Sequence, residues 1–369
     1  MALDIYSTYY MLAAVATLTP EHTFFKNRYF PTNNAMDVFG TSKVLIDYKD
    51  RSKQRRAPFV MPRVGAIPIG RDGFSTYELE PTNISISRPL TLDQLQNRGF
   101  GESLMSGLTP DQRESALLME DLAELSARIS RTEEWMACQT MLDNGCTMAH
   151  RTDNEDIYEN VHVQFYDGAS NPALYTPAAT WAHSTYNSTT GAVTVGNWYT
   201  DIQAMIKMLT RRGLPARELI VSSDVGEFLL EDPWILKVLD NRRMEFGRID
   251  PSQLTEYVTY LGTFNFGGRS LDILINDGTF LDVDANGNDV DTPYLPDGTA
   301  IVTAPNCGRG LYGAVTLMET DGNFHTYAGT RVPQHYFSQR PAVKETILTA
   351  RPLMVPNTES PWSVAKNVL

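Results

Sequence analysis

The chain has 369 residues, 42% of them hydrophobic and 20% charged, with 44 acidic side chains against 31 Lys and Arg for a formal net charge of −13. That length and apolar share allow a sizeable buried core, roughly two or three domains, and exclude a disordered chain. The acidic balance excludes a grip on nucleic acid through a basic stripe and suits a soluble protein, or a container whose wall must not hold its cargo tightly.

Residues 1–40 read as an N-terminal arm. Within it, residues 9–18 (YYMLAAVATL) predict a short helix. A secretory leader would need positive charge ahead of that stretch, but only Asp4 precedes it and the first Lys or Arg is Lys26. The stretch is also too short to cross a bilayer, and no membrane association is expected. Residues 24–37 (FFKNRYFPTNNAMD) read as turn-rich, and residues 43–50 (KVLIDYKD) as a strand.

Residues 51–89 carry prolines at 58, 62, 68, 81 and 89, turn signals at Gly70 and Asp72-Gly73, and β-type runs at 74–79 and 84–87. Proline is excluded from central strands, so this segment predicts a long two-stranded excursion that lies outside any sheet. An isolated hairpin is marginal in water and must lean on another surface, for which a neighbouring copy of the chain is the natural candidate. Six cations (Lys49, Arg51, Lys53, Arg55, Arg56 and Arg63) crowd the root of this excursion. The bland account is a solvated loop face. The sharper one makes Arg51, Lys53, Arg55 and Arg56 an inter-subunit contact to an acidic patch on another copy.

The clearest helix is 110–144. Thr109 can cap it, Pro110 suits its first position, Gln112 completes a capping box, and Gly145 offers a left-handed exit. Leu118, Leu122, Leu125, Ile129 and Met136 form one apolar stripe, with Trp135 on or near it and with Glu114, Asp121, Glu124, Arg128 and Arg131 around it. At about 1.5 Å per residue such a helix is roughly 50 Å long, a strut rather than an ordinary globular helix. Residues 157–166 read as a strand, followed by a polar stretch of small residues to about 197. A compact α+β unit comes next, with helices over 199–212, 224–243 and about 251–257 and strands over 218–222, 271–275 and 299–304. Residues 342–354 read again as strand.

Chemical motifs are sparse. Gly308, Gly310 and Gly313 match G-x-G-x-x-G, but Asp321-Gly322 turns the chain where a phosphate-facing helix should run, so a Gly-rich turn between strands is expected. Asp282, Asp284 and Asn286 copy the start of a calcium loop, yet Pro293 stands where the closing Glu is needed, and Asn286-Gly287 suits a hairpin tip. The six histidines show no metal spacing, and the cysteines (Cys138, Cys146 and Cys307) form no C-x-x-C pair. No catalytic residue, metal or cofactor is expected. The 17 Tyr and 15 Phe serve cores and interfaces equally well.

Several stretches resemble the lambda-type major capsid proteins of tailed phages, the capsid protein E family. They are FFKNRYFP (24–31), APFVMPRVGA (57–66), GFSTYELEP (73–81), LQNRGFGE (95–102) and RTEEWMACQTML (131–142), with looser likeness at LDNRR (239–243), YLPDGTAIV (294–302) and ARPLMVP (350–356). The resemblance implies an α+β chain with the Hong Kong 97 phage capsid fold: an N-terminal arm (1–40), an extended loop with flanking strands (41–100), a peripheral domain (101–196) with its spine helix (110–144), an axial domain (197–320) and a return to the peripheral domain (321–369). It further implies a non-enzymatic shell subunit that forms hexamers and pentamers around double-stranded DNA, without sequence-specific binding. Scaffolding, portal and decoration proteins would be its partners, the host cytoplasm its place of assembly and the virion its destination. An encapsulin-like compartment shares the fold and is the competing account, separated by whether DNA or a cargo protein is enclosed. A secreted, adhesive β-rich protein would need the leader that residues 9–18 do not supply.

Overall fold

The computed structural model describes residues 8–18, 21, 23–48, 56–57, 59, 75–91, 109–151, 157–190, 192–240, 247–283, 288–319, 322–339 and 342–369. Its organising element begins at Thr109. The Thr109 hydroxyl accepts from the Gln112 N–H, and the Gln112 side chain accepts from the Thr109 N–H, closing the capping box ahead of Pro110. The helix runs Pro110–Asp143, 34 residues, about 51 Å along its axis. Leu118, Leu122, Leu125, Ile129 and Met136 are all buried, and Trp135 is half-buried.

Leu125 and Ile129 pack on Leu348 and Ala350, with Ile84 and Ile86 alongside. Those partners belong to a three-stranded antiparallel sheet of Val332–Gln339, Ala342–Ala350 and Ile84–Thr91. Further along, Met136, Met141 and Leu142 join a larger core with Phe24, Phe25, Tyr29 and Phe30 of the arm and Met354 and Val355 near the C-terminus.

A seven-stranded mixed sheet forms the second body, in the order Gly247–Thr255, Val258–Phe266, Arg269–Asn276, Glu218–Ser222, Ala300–Thr303, Ser363–Ala365, Leu174–Tyr175. Glu218–Ser222, parallel to one neighbour and antiparallel to the other, is buried at every position, as expected of a central strand. Helix Asn197–Arg211 lays Trp198, Ile202, Met205, Ile206 and Leu209 into the core of this body. Six two-stranded pairs complete the outline among the described residues: Val44–Tyr48 with Ser75–Leu79, Gly145–Arg151 with Ile157–Gln164, Thr185–Tyr186 with Val193–Thr194, Thr279–Val283 with Asp289–Pro293, Gly308–Tyr312 with Pro352–Pro356, and Val315–Met318 with Phe324–Tyr327.

The structure corrects the sequence-based expectations in several places, each for a local reason. Residues 24–37 hold a five-residue helix, Phe25–Tyr29. The left-handed exit of the long helix is Asn144, at φ 51°. Gly145 instead starts a strand, where a Cβ would come 2.5 Å from the Val163 carbonyl oxygen. The expected helix over 224–243 is two helices as far as it is described, Ser223–Glu231 and Pro233–Asp240, with residues 241–243 outside the described residues. Asp232 lies between them in an extended conformation and caps the second through the Trp234 N–H at 2.8 Å. Residues 251–257 are not helical. Pro251 lies in the outermost strand of the large sheet, beside a register shift between Ile249 and Ser252, where a missing N–H costs little.

The expected strand over 342–354 is two strands in two sheets, Ala342–Ala350 and Pro352–Pro356. The glycine fingerprint is a strand rather than a turn: Gly308–Tyr312 pairs with Pro352–Pro356, and a Cβ at Gly308 would run into the ring of Phe30. The run at 84–87 belongs to the three-stranded sheet, so the pair at the base of the excursion is Val44–Tyr48 with Ser75–Leu79. Strand Ser363–Ala365 returns to the large sheet beside Ala300–Thr303. Around the calcium-loop-like sequence the flanking strands pair as a hairpin, Val283 opposite Asp289, while residues 284–287 lie outside the described residues.

Candidate functional site

Among the described residues, no group of three or more His, Cys, Asp or Glu is placed to hold a metal ion. All three cysteines are buried. Burial pushes the thiols of Cys146 and Cys307 up to about 12, far from the thiolate character a nucleophile needs. Among the described residues, no helix is long and apolar enough to cross a membrane.

A dense polar cluster lies under the C-terminal third of the long helix, where Glu133 and Glu134 are both buried. Arg331 grips Glu133 with both terminal nitrogens, at 2.6 Å to Oε1 and 2.8 Å to Oε2, and holds Ser130 Oγ at 3.2 Å. The Lys26 ammonium also pairs with Glu133, and the Tyr312 hydroxyl donates to Oε1 at 2.9 Å. Burial pushes the Glu133 carboxyl up, but Arg331 and Lys26 more than reverse this and hold it below the ordinary glutamate value.

Glu134 turns to the arm. Its Oε1 accepts the N–H groups of Phe24 and Phe25 at 2.8 and 2.7 Å, and its Oε2 accepts that of Lys26 at 2.9 Å. Burial pushes this carboxyl up against the pull of those three donors. Two residues on, the arm changes partner. Arg28 Nε and the Tyr29 hydroxyl donate to Glu218 Oε2 at 3.0 and 2.6 Å, and a second Arg28 nitrogen reaches Oε1. Glu218 opens the central strand of the large sheet. A few residues of the arm thus tie the helix, the C-terminal strands and the large sheet into one unit. A buried charge without partners would cost several kcal/mol, about 3–5 when one member of a pair is removed, so the junction holds only while it is complete.

Nothing in the sequence reading singled out Glu133, Glu134, Glu218 or Arg331. The available signal was the pair of acidic residues interrupting an apolar stripe. The stretches 24–31 and 131–142, noted separately for their resemblance, prove to be the two sides of this junction.

Of the four cations proposed as an inter-subunit contact, Arg51, Lys53 and Arg55 lie outside the described residues. Arg56 is exposed, its guanidinium 5.4 Å from the ring centroid of Phe59, which is itself 89% exposed. Other large apolar side chains also face outward. Met318 and Phe324 form a cross-strand pair with Phe324 75% exposed, and Tyr9, Tyr336 and Phe337 are exposed as well. A Gln334 side-chain bond to the Met318 carbonyl at 2.7 Å joins that hairpin to the neighbouring strand.

The family model described as phage major capsid protein E matches residues 7–364. The chain belongs to that family. A crystal structure described as a prophage capsid protein from E. coli CFT073 superimposes with a TM-score of 0.65 at 15% identity, covering 99% of each chain. More distant are the SrpI encapsulin of Synechococcus elongatus PCC 7942 (TM-score 0.45, 8% identity, 100% of this chain and 96% of that one) and the mature capsid of bacteriophage PhiM1 (0.43, 11%, 94% and 88%). No curated protein matches the sequence. The fold is that of the Hong Kong 97-type capsid proteins, and this major capsid protein is a structural subunit of a phage head. The junction and the exposed surfaces are accordingly an assembly unit's interior and exterior.

Proposed function

We propose that this capsid protein closes into hexamers and pentamers that build an icosahedral head around double-stranded DNA, held without sequence-specific contacts. Assembly takes place in the host cytoplasm, with scaffolding, portal and decoration proteins as partners. Residues 1–40 serve as the arm, 41–100 as the extended loop with its flanking strands, 101–196 with 321–369 as the peripheral domain and 197–320 as the axial domain.

The observation that carries this reading is a set of two-stranded excursions that expose apolar side chains: Leu45 on one, Leu281 and Val283 on another, and Met318 and Phe324 on a third. Two-stranded pairs are marginal alone, and exposed apolar patches of this kind mark surfaces that other subunits cover. Head-to-tail contacts close rings, and many modest contacts then hold a shell by multivalency. The net charge of −13 keeps the wall from holding DNA tightly.

Sedimentation of the concentrated protein tests the proposal. Capsomer-sized and shell-sized particles are expected, and a monomer at every concentration and salt would overturn it.

A further inference from the structure

Most of the described cations are matched by a carboxylate of the same chain, as Lys26 and Arg331 are by Glu133, Arg28 by Glu218 and Arg88 by Asp121. A group of exceptions gathers at one end of the large sheet. Residues 202–217 hold Lys207, Arg211, Arg212 and Arg217 without an Asp or Glu among them, in a chain whose net charge is −13. Arg212 is tied to the carbonyls of Ser360 and Pro172 at 3.3 and 2.6 Å. Lys207, Arg211 and Arg217 are exposed, and so is Arg269. The side chains of these four form no ion pair or hydrogen bond with a described residue.

The fold brings the four to one face. Lys207 and Arg211 lie one turn apart on the exposed side of helix Asn197–Arg211, whose Ile202, Met205, Ile206 and Leu209 enter the core. Leu219, Val221, Leu271 and Ile273 meet that same core. The two-residue alternation of their strands therefore puts Arg217 and Arg269 on the helix's side of the sheet. The parallel strands Glu218–Ser222 and Arg269–Asn276 both start at this end, and the turn ahead of Arg269 reaches the helix through the Gly267 N–H, which donates to the Tyr199 hydroxyl at 3.1 Å. The strands' own acids, Glu218 and Asp272, fall on the opposite alternation, where Glu218 holds Arg28 and Tyr29 and Asp272 accepts from Thr263 at 2.7 Å.

No large apolar side chain is exposed in residues 196–229 or 255–280, whereas a contact with another protein is built around an apolar or aromatic centre. A cationic, polar face without such a centre matches a polyanion, which Lys, Arg, Thr and Gln side chains hold through its phosphate oxygens. We infer that this face is a phosphate-binding surface for the backbone of the enclosed double-stranded DNA. The inference rests on the shell reading proposed above and says which surface of the subunit looks inward. Four cations give a light hold. Each phosphate neutralised on duplex DNA steepens the fall of log K with log salt by about 0.9, so physiological salt weakens the contact and the DNA stays free to slide.

Fluorescence anisotropy of a short labelled DNA duplex with the purified, unassembled subunit tests this. Weak binding is expected at low salt, and Lys207→Gln with Arg211→Gln should reduce the slope of log K against log salt by about 1.8. Arg217→Gln with Arg269→Gln should reduce it by a similar amount, and replaces the first pair if that variant is unfolded by circular dichroism. Lys43→Gln with Lys366→Gln removes two cations already paired with Glu78 and Asp143 and should leave the slope near the wild-type value. Absence of binding at low salt overturns the inference, as does a wild-type slope in both test pairs or an equal loss in the control pair. Wild-type DNA binding by the first pair together with loss of its closed shells also overturns it, because the face would then be a contact between copies. Electron microscopy of the wild-type protein keeps the two readings apart: a lack of particles overturns the shell reading itself, while loss of the DNA contact alone leaves that reading intact.

Discussion

The junction beneath the long helix and the hairpin beside it both carry acidic residues, and they use them in opposite ways. Glu133 and Glu134 are buried, and their carboxylates are met by Arg331, Lys26, Tyr312 and three arm N–H groups. Asp282, Asp289 and Asp291 are in solvent, without an ion-pair partner among the described residues. Charge that is buried and fully met fixes the shape of one subunit, because any loosening leaves an ion stranded in a low-dielectric interior. Charge that is exposed and unmet adds little to the stability of its own subunit and is free to choose a partner. Substitutions at the two places should therefore separate folding from assembly.

The largest effect is expected from Arg331→Ala, which strands Glu133 with only Lys26 as a counter-charge. Chemical denaturation of the unassembled subunit should show a loss of about 3–5 kcal/mol. A loss below about 1 kcal/mol, the scale of an exposed pair, would erase the distinction between junction and surface. Next comes Leu125→Ala, at the contact with Leu348 and Ala350. It should cost about 2–5 kcal/mol in the same assay, with Leu125→Asp costing more because the new charge has no partner. An unchanged melting temperature for Leu125→Asp would mean that the strut does not rest on the three-stranded sheet.

Acid sharpens the comparison further. The folded pKa of Glu133 lies below the ordinary value of 4.5, so its contribution is fully present above that value and is lost as pH falls through the lower folded one, at up to about 1.4 kcal/mol per pH unit. Glu133→Gln should thus be destabilised at neutral pH, and its deficit against wild type should shrink as the pH is taken below 4.5. A constant deficit across that range would show that the ionised form is not what holds the junction. The smallest effect on folding belongs to Arg55→Glu with Arg56→Glu. The unassembled subunit should stay within about 0.5 kcal/mol of wild type, with an unchanged circular dichroism spectrum, while the yield of closed shells falls. Wild-type yield of shells from this double variant would return the cluster to the role of a solvated face.

Local signals carried much of the fold. The capping box at Thr109 and Gln112, the buried stripe of the long helix and the strand Glu218–Ser222 could all be read from spacing. The stretch 251–257 was misread because its strand character comes from pairing with Val258–Phe266 and not from local preference. The junction was invisible for the same reason on a longer scale: Arg331 lies 198 positions from Glu133, and Lys26 lies 107 positions away. No window along the sequence contains both sides of such a contact. The basic cluster is the converse case, conspicuous in sequence because six cations within 15 residues of an acidic chain leave their mark in composition.

A subunit locked internally by its arm is proposed to present surfaces that build a shell. Negative-stain electron microscopy of the purified, concentrated wild-type protein tests it most directly. Rings of capsomer size and closed shells of uniform diameter are expected. A field containing only dispersed monomers, from protein shown by circular dichroism to be folded, would contradict it.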